Sequence, residues 1–388
     1  TLRHTLFPYT TLFRSPGTGC DVPVIFRSES SDTADVLIQY SANSDTNYTV
    51  QLDGAKGVTF EYLTIQSLNN SAGRVIDLRN NASCNAFKNN RFMGIETSNY
   101  DNDKAIVYSP SNSSADENDS LNIFLYNTIE QGSYGMDLSG YAAGEENVEW
   151  GNVINHNRFI SQSYRGINLA EQGGTEITGN RFKADSTRND YRAIYGNDLN
   201  YGVWISKNHI FVPVGDYGIY IDDSEGNENN RNWIVNNFIT MGGSDPYGMY
   251  YDYSDDNNIY FNSILLTSSA SSSSRGISFN NGYDNYLKNN TVQNRGQGYA
   301  VYADDYNIID QSNHNNFITN GNYIGNWDYQ DVETLSDWQS VSSMDTNSVS
   351  ADPLYAGVDS LHANSAILNG QGVSIDSIAT DIDGESRQ

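Results

Sequence analysis

Pairs of aspartates recur in this chain directly after short runs of alternating apolar residues. The members are Asp222 with Asp223, Asp252, and Asp304 with Asp305. Carboxylates stacked on one another repel, so three hypotheses about these aspartates are open. Solvation of the aspartates in loops is the default, and a Ca²⁺ site built from these carboxylates is the second hypothesis, because Ca²⁺ takes several oxygen ligands. The third is an acid/base pair with raised pKa values, for which the candidate catalytic residues are Asp222, Asp223 and Asp252.

Three arginines occupy an equivalent position, each directly before a Gly or Ala: Arg165, Arg192 and Arg275. Cations stand out in this chain, because it has 48 acidic residues against 21 basic ones. A guanidinium group can bind the carboxylate of a uronic acid in a bidentate way, so we predict that these arginines contact an acidic polysaccharide. The alternative is that each arginine pairs with a neighbouring acid of the chain itself.

Tyrosines occupy a third recurring position, in the middle of the same apolar runs. Side chains alternate along a strand, so the residue after each inward apolar side chain points outward. This outward series contains Asp77, Val107, Asp137, Asn168, Tyr195, Tyr220, Tyr250, Ser278 and Tyr302. Aromatic faces along such a series could stack on successive sugar rings. The alternative is that the tyrosines only cover a β-surface, for which aromatic residues have high propensity.

These positions belong to a repeat with a period of roughly 25–30 residues. Its first half reads Tyr217-Gly-Ile-Tyr-Ile or Tyr247-Gly-Met-Tyr-Tyr. Its second half places an asparagine two residues before an apolar one, at Asn90, Asn127, Asn157, Asn180, Asn208, Asn236, Asn262, Asn290 and Asn315. Such a unit cannot bury its apolar face alone and must stack on its copies, and the period-two runs indicate strands. We therefore predict an all-β parallel β-helix of about ten rungs.

The asparagine series has a structural explanation. Asn tolerates left-handed turn conformations, and stacked copies can hydrogen-bond from one rung to the next. The histidines that follow His4 are scattered, and none forms a pair with metal-ligand spacing. Cys20 and Cys84 lie far apart in the sequence, so we expect two free thiols, with a disulfide as the minor alternative.

The net charge of −27 disfavours nucleic acid and anionic membrane surfaces as partners, because it repels phosphate groups. No apolar run is long enough to span a bilayer. The sequence leaves the oligomeric state open.

Both ends of the chain differ from the repeat. Residues 5–15 read TLFPYTTLFRS, which matches the translation of a widely used short-read sequencing adapter, so residues 1–15 are expected to be foreign. Residues 16–325 are predicted to form the β-helix. Residues 326–388, with Trp327 and Trp338, are predicted to be a capping segment with a weak helical pattern. We expect the chain to be truncated at both ends.

The repeat resembles the right-handed parallel β-helix proteins of the pectin-lyase-like superfamily. The C-terminal motifs Leu335-Ser-Asp-Trp-Gln and Ala351-Asp-Pro-Leu-Tyr resemble the closing segment of secreted β-helix proteins in Bacteroidetes-type bacteria. The resemblance implies an extracellular or outer-surface protein in contact with polysaccharide. The polygalacturonase, pectate lyase and alginate epimerase motifs are absent apart from paired aspartates, and Arg165 with Arg192 is a loose positional match to the basic pair of alginate-lyase-like β-helices.

Together these observations predict a protein that binds an elongated carbohydrate along the tyrosine-rich sheet. An acidic polysaccharide is the candidate that the arginines favour. The predicted binding residues are Tyr195, Tyr220, Tyr250, Tyr302, Arg165, Arg192 and Arg275. One alternative is a polysaccharide lyase or glycoside hydrolase that uses the three aspartates or Arg165 with Arg192. A second alternative is a structural stalk or adhesin.

Overall fold

The computed structural model describes residues 4–5, 11–13, 20, 23–110, 114, 117–141, 148–184, 189–226 and 228–387. The chain divides into two compact units, Thr1–Arg188 and Asn189–Gln388. Strands stack in parallel throughout, and the predicted all-β parallel solenoid of about ten turns is confirmed. The predicted boundaries after residues 15 and 325 stay predictions.

The first unit consists of three parallel sheets, which we call A, B and C. Sheet A contains β1 (His4–Thr5), β4 (Val36–Tyr40), β7 (Thr64–Ser67), β10 (Arg91–Met93), β13 (Thr128–Glu130), β17 (Arg158–Ile160) and β21 (Arg181–Lys183). Sheet B contains β2 (Thr11–Phe13), β5 (Val50–Asp53), β8 (Ile76–Arg79), β11 (Val107–Ser109), β14 (Tyr134–Ser139) and β18 (Arg165–Ala170). Sheet C contains β3 (Val24–Arg27), β6 (Val58–Glu61), β9 (Ala86–Lys88), β12 (Ile123–Leu125), β16 (Val153–Asn155) and β20 (Glu176–Thr178). A small pair, β15 (Glu149–Trp150) and β19 (Gln172–Gly173), and a 3₁₀ helix, Asn102–Lys104, complete this unit.

The second unit repeats the same order of strands. Its sheet A contains β24 (His209–Val212), β27 (Phe238–Met241), β30 (Ser263–Leu266), β33 (Thr291–Asn294) and β36 (Asn316–Thr319). Its sheet B contains β22 (Arg192–Asn197), β25 (Tyr217–Asp222), β28 (Tyr247–Asp252), β31 (Arg275–Asn280), β34 (Tyr299–Ala303), β37 (Gly325–Trp327) and the antiparallel β38 (Gln330–Val332). Its sheet C contains β23 (Trp204–Ser206), β26 (Asn232–Val235), β29 (Asn257–Tyr260), β32 (Asn285–Lys288) and β35 (Ile309–Asn313).

The core of each unit is formed by inward side chains that stack on their own copies. In the first unit, Phe60, Phe87 and Phe124 form a stack with ring centroids 5.6 and 4.9 Å apart. In the second unit, Tyr251 stacks on Phe279 at 5.0 Å. All five rings are almost completely buried. Burial of this kind is the main favourable term for a fold whose rungs have no independent core.

A column of buried asparagines joins successive rungs before sheet A. In the first unit the Asn90 backbone N–H donates to Asn127 Oδ1 at 2.9 Å, and the Asn127 N–H donates to Asn157 Oδ1 at 2.9 Å. Each side-chain amide also donates to a carbonyl, as Asn127 Nδ2 does to Phe87 O at 2.8 Å. The predicted hydrogen bonding between rungs is therefore confirmed.

The structure of this column differs from the sequence prediction at two points. In the second unit its member is Asn237 and not Asn236, because Asn208 N–H donates to Asn237 Oδ1 and Ile210 pairs with Ile239. The left-handed backbone conformation belongs to the residue before each column member. These residues are Asn89, Tyr126, His156, Gly179, Lys207, Asn236, Phe261, Asn289 and His314.

A second asparagine column before sheet C was not predicted. The Asn85 N–H donates to Asn122 Oδ1 at 3.0 Å, and the Asn122 N–H donates to Asn152 Oδ1 at 2.8 Å. Asn257 and Asn285 make the same contact in the second unit. The signal was present in the sequence, because each of these asparagines precedes a member of the first column by a constant offset.

The C-terminal segment folds against the second unit. Helix α1 (Leu335–Ser342) begins with a capping box at Thr334 and Asp337. Its buried Trp338 packs on Trp327 at 5.3 Å and donates from Nε1 to Asp345 Oδ2 at 2.9 Å. The predicted helical segment is confirmed, and its role as a cap stays a prediction. A second 3₁₀ helix spans Ala366–Leu368.

Two further findings concern the cysteines and the question of a membrane-spanning helix. Cys20 and Cys84 form a disulfide with a Cα–Cα distance of 5.3 Å, so the expectation of two free thiols was wrong. Separation along the sequence is a poor guide to cysteine pairing here, because the coil brings remote segments together. Among the described residues, no helix combines the length and apolarity needed to cross a membrane.

Replacement of Asn127 by Ala tests the asparagine column. The substitution leaves the Phe87 carbonyl and the Asn90 N–H buried without their partners, so we expect a loss on the order of 3 kcal/mol in the free energy of unfolding. Denaturant titration followed by circular dichroism measures it. The exposed Asn70→Ala is the matched control, and equal stability of the two variants would contradict the structural role of the column.

Candidate functional site

Sheet B of the second unit presents three outward series of side chains, each in register across its strands. The first series is Arg192, Tyr217, Tyr247, Arg275 and Tyr299. The second is Tyr195, Tyr220, Tyr250, Ser278 and Tyr302. The third is Asn197, Asp222, Asp252 and Asn280. We call the first two series the tyrosine face.

A small residue lies between the two neighbouring outward series on every strand, either glycine or, at Ala193 and Ala300, alanine. Strict alternation along Tyr217-Gly-Ile-Tyr would place Tyr217 and Tyr220 on opposite sides, yet their rings lie 5.3 Å apart on the same side. The alternation is interrupted at Gly218, where a Cβ would lie 2.5 Å from the side chain of Ile239 and 2.5 Å from the Gly248 carbonyl oxygen. A side chain at Gly218 would therefore require its neighbours to shift, whereas Ala193 and Ala300 occupy the same position on two other strands.

The tyrosine rings of this face contact one another continuously. Tyr217 stacks on Tyr247 with centroids 5.0 Å apart, and Tyr220 meets Tyr250 edge-to-face at 4.7 Å. Tyr195 meets Tyr220 at 5.2 Å. Such contacts hold the rings in fixed orientations and so form a preorganised aromatic surface.

The arginines of the tyrosine face lie over rings. The Arg192 guanidinium carbon is 4.5 Å from the Tyr220 centroid and 4.7 Å from that of Tyr195. The Arg275 guanidinium is 3.6 Å from the centroid of Tyr302. Within the part of the chain that the structure describes, neither arginine has a carboxylate within ion-pair distance, and the Nε atom of each is buried without a hydrogen-bond partner. Among the described residues, no ion pair supports the alternative that Arg192 and Arg275 pair with neighbouring acids.

The third series places two carboxylates beside the tyrosine hydroxyl groups. The Tyr195 hydroxyl donates to Asp222 Oδ2 at 2.7 Å, and the Tyr220 hydroxyl donates to Asp252 Oδ2 at 3.4 Å. Asn280 Nδ2 donates to Asp252 Oδ1 at 2.6 Å. The predicted neighbours Asp222 and Asp252 are thus brought together as register partners on adjacent strands.

Burial raises the pKa of several tyrosines in this face. The pKa of Tyr220 is raised by burial first and then by the charges of Asp222 and Asp252. Burial likewise raises the pKa of Tyr250 and that of Tyr247. These hydroxyl groups stay protonated at neutral pH, so they act as hydrogen-bond donors and are unsuited to act as catalytic bases.

The remaining predicted aspartates lie in the turns that follow sheet B. Asp304 Oδ1 accepts from the Asn281 N–H at 3.0 Å, and Asp305 Oδ1 accepts from the Asn307 N–H at 2.8 Å. Asp223 has a left-handed backbone conformation. Among the residues described, no group of three or more His, Cys, Asp or Glu is arranged to hold a metal ion. The Ca²⁺ site stays a prediction.

Asp198 is a site residue that the sequence analysis missed. It follows the end of β22 and lies near Asp222, Asp223 and Glu225, and burial together with these charges raises the pKa of Asp198 to about 6. The proximity of Asp198 to these acids depends on the conformation of the turn, which the repeat pattern does not specify.

The predicted binding residue Arg165 belongs to the first unit. It donates to Asn168 Oδ1 and, at 3.2 Å, to the Tyr164 hydroxyl, and Asn168 in turn donates to Asp137 Oδ1 at 2.6 Å. The outward series there contains Tyr108 in place of the predicted Val107, which is fully buried. The run that contains Val107 is therefore one residue out of the predicted register with the neighbouring strand.

A family model described as "Periplasmic copper-binding protein (NosD)" matches residues 36–242, more than half of the chain. The chain belongs to the NosD family. This family has the right-handed β-helix of the pectin-lyase-like fold, so the predicted resemblance of this NosD-family chain is confirmed.

Among solved structures, the NosD-family chain is similar to the Dettilon tailspike protein (gp208), with a TM-score of 0.47 and 10% sequence identity. The match covers 86% of this chain and 60% of the tailspike chain, so the chain spans less than two thirds of that protein. No curated protein sequence matches the NosD-family chain.

Asp198→Asn tests the charge environment of the aspartates. Because the folded-state pKa of about 6 lies above the usual value of 3.8, stability falls as pH rises between these values and the penalty is constant above them. We expect the variant to have a higher thermal midpoint than the parent protein at pH 7.5 and an equal one near pH 4. Thermal unfolding at both pH values measures this difference. The exposed Asp310→Asn should show no such pattern, and a pH-independent effect of Asp198→Asn would contradict the assignment.

Proposed function

We propose that this NosD-family chain binds an elongated, acidic polysaccharide along the tyrosine face of its second unit. The observation that carries the proposal is the state of Arg192 and Arg275. In a chain with a net charge of −27, both guanidinium groups lie on tyrosine rings and make no ion pair with the described residues. A guanidinium group without a carboxylate partner suits the carboxylate of a uronic acid, which it can bind through two parallel hydrogen bonds.

The aromatic surface between the arginines supports the same proposal. Tyr217, Tyr247 and Tyr250 offer ring faces and edges, while protonated hydroxyl groups donate hydrogen bonds at the rim. Sugars present both C–H faces and hydroxyl groups, so they match a surface that is apolar and polar at once. Strands about 4.8 Å apart give this face a repeat close to the length of one sugar unit.

We also propose that the protein is exported and acts in the periplasm or at the outer cell surface. The Cys20–Cys84 disulfide supports this location, because disulfides persist in oxidising compartments and are rare in the cytosol. The family description names the periplasm.

The family description also names copper, and the described residues do not fit a copper site. Copper in proteins prefers imidazole, thiolate and thioether ligands. His209 and His362 pack against Phe238, His314 Nδ1 lies 2.8 Å from the Gln371 carbonyl oxygen, and both cysteines are in the disulfide. No group of three or more His, Cys, Asp or Glu that could hold a metal occurs in the described ranges. Copper therefore has no part in the proposal.

The alternative function is a polysaccharide lyase or glycoside hydrolase that acts on a uronate-containing chain. The adjacent carboxylates of Asp222 and Asp252 favour it, because hydrolases use paired carboxyl groups. The other candidate catalytic pair consists of Arg165 in the first unit and Arg192 in the second unit. We favour binding, because each aspartate accepts a hydrogen bond from a tyrosine of the same face and the tyrosines themselves are poor bases.

Removal of the two arginines tests the binding proposal. We expect the double variant Arg192→Met, Arg275→Met to bind polygalacturonate at least tenfold more weakly, because each lost charge-assisted contact costs about 1.5–3 kcal/mol. Affinity electrophoresis in gels that contain polygalacturonate measures the change. The exposed Arg181→Met is the control, and unchanged retardation of the double variant would overturn the proposal.

A separate assay tests the enzymatic alternative. We expect incubation with pectins, alginate and glycosaminoglycans, with and without Ca²⁺, to yield no new reducing ends and no unsaturated uronate absorbance. Turnover of one substrate that Asp222→Asn and Asp252→Asn abolish would establish catalysis instead of binding. Absence of both turnover and retardation would favour a structural stalk.

A further inference from the structure

A cleft of about 1230 Å³ lies in the first unit. It follows the ends of four successive strands of sheet A, β7, β10, β13 and β17, and so extends across four rungs. At the rung spacing this corresponds to on the order of 14 Å. Its lining residues are Gln66, Ser67, Leu68, Asn70, Gly94, Ile95, Glu96, Thr97, Ser98, Lys104, Gln131, Ser161 and Ser163.

The lining is rich in groups that hydrogen-bond to sugar hydroxyl groups. Amides come from Gln66 and Gln131, and hydroxyl groups come from Ser161 and Thr97. Apolar contact comes from Leu68, which is 46% exposed. Neither Gln66 nor Gln131 uses its side-chain amide in a hydrogen bond within the described ranges. These groups are therefore available to a polar ligand.

Lys104 is the charged group that the cleft buries. Only 9% of this residue is exposed, and its Nζ donates one hydrogen bond, to Thr97 Oγ1 at 3.3 Å. An ammonium group has three donors, so two are unused. No carboxylate among the described residues lies within ion-pair distance of Lys104, although the chain has 48 acidic residues. A buried cation without an anionic partner is costly unless a ligand supplies that partner.

We propose that this cleft binds a short oligosaccharide that carries an anionic group, with Lys104 as the contact to that group. The carboxylate of a uronic acid and a sulfate ester share the chemistry that Lys104 recognises. The hydroxyl and amide side chains of the lining hold the sugar hydroxyl groups. This second site does not depend on the tyrosine face, because all of its residues belong to the first unit.

The test uses the full chain with Arg192→Met and Arg275→Met, so that binding at the tyrosine face is weakened. Isothermal titration calorimetry compares trigalacturonate, a sulfated trisaccharide and uncharged maltotriose. We expect at least one charged trisaccharide to bind, and Lys104→Met to weaken that binding about tenfold or more. The exposed Lys183→Met is the control and should leave the affinity unchanged.

A second variant guards against loss of folding when Lys104 is replaced. Asn70 is exposed at the cleft and has no left-handed backbone conformation, so Asn70→Trp fills the space without changing the core and should also abolish binding. Tighter binding of the sulfated trisaccharide identifies sulfate as the anion, and tighter binding of trigalacturonate identifies a carboxylate. The proposal is overturned if no charged trisaccharide binds, if maltotriose binds equally well, or if both variants keep full affinity. Failure of the tyrosine face in gel retardation would not affect these outcomes.

Discussion

Hydrogen bonding between buried asparagines of successive rungs is the interaction on which the rest of each unit depends. A side chain such as Asn127 accepts from the backbone and amide of Asn90 and donates to the carbonyl of Phe87. These hydrogen bonds can form together only when the rungs are in register. A slip by one residue would reverse every side chain on the strand, so this column fixes which residues face outward.

Register has a direct consequence for function. Because each outward residue lies over its copy, a residue type that recurs in the repeat becomes a continuous surface. Tyr217 lies on a different strand from Tyr247 and Tyr250 and yet its ring contacts both of theirs. Arg192 and Arg275 lie on rings within that surface, and the acids lie in a separate series. The repeat therefore gathers the aromatic and cationic residues into their own series, directly beside the series that carries Asp222 and Asp252.

Much of this arrangement could be predicted from the sequence. Period-two runs and the asparagine series indicated the solenoid, and the outward tyrosines of the second unit were identified correctly. Positions that depend on local geometry were missed. Two adjacent asparagines made Asn236 and Asn237 indistinguishable by pattern, and the run that contains Val107 lies one residue out of the predicted register. The disulfide and the partners of Arg192 depend on contacts between remote segments, which spacing alone does not specify.

Hydroxyl-radical footprinting of tyrosines, with and without polygalacturonate, tests the binding account most directly. The account predicts that polysaccharide protects Tyr195, Tyr250 and Tyr302 from oxidation. Tyr283 and Tyr306, which are 53% and 61% exposed outside this face, should react equally in both samples. Equal oxidation of the three tyrosines with and without polysaccharide, in a sample where binding is saturated, would contradict the account.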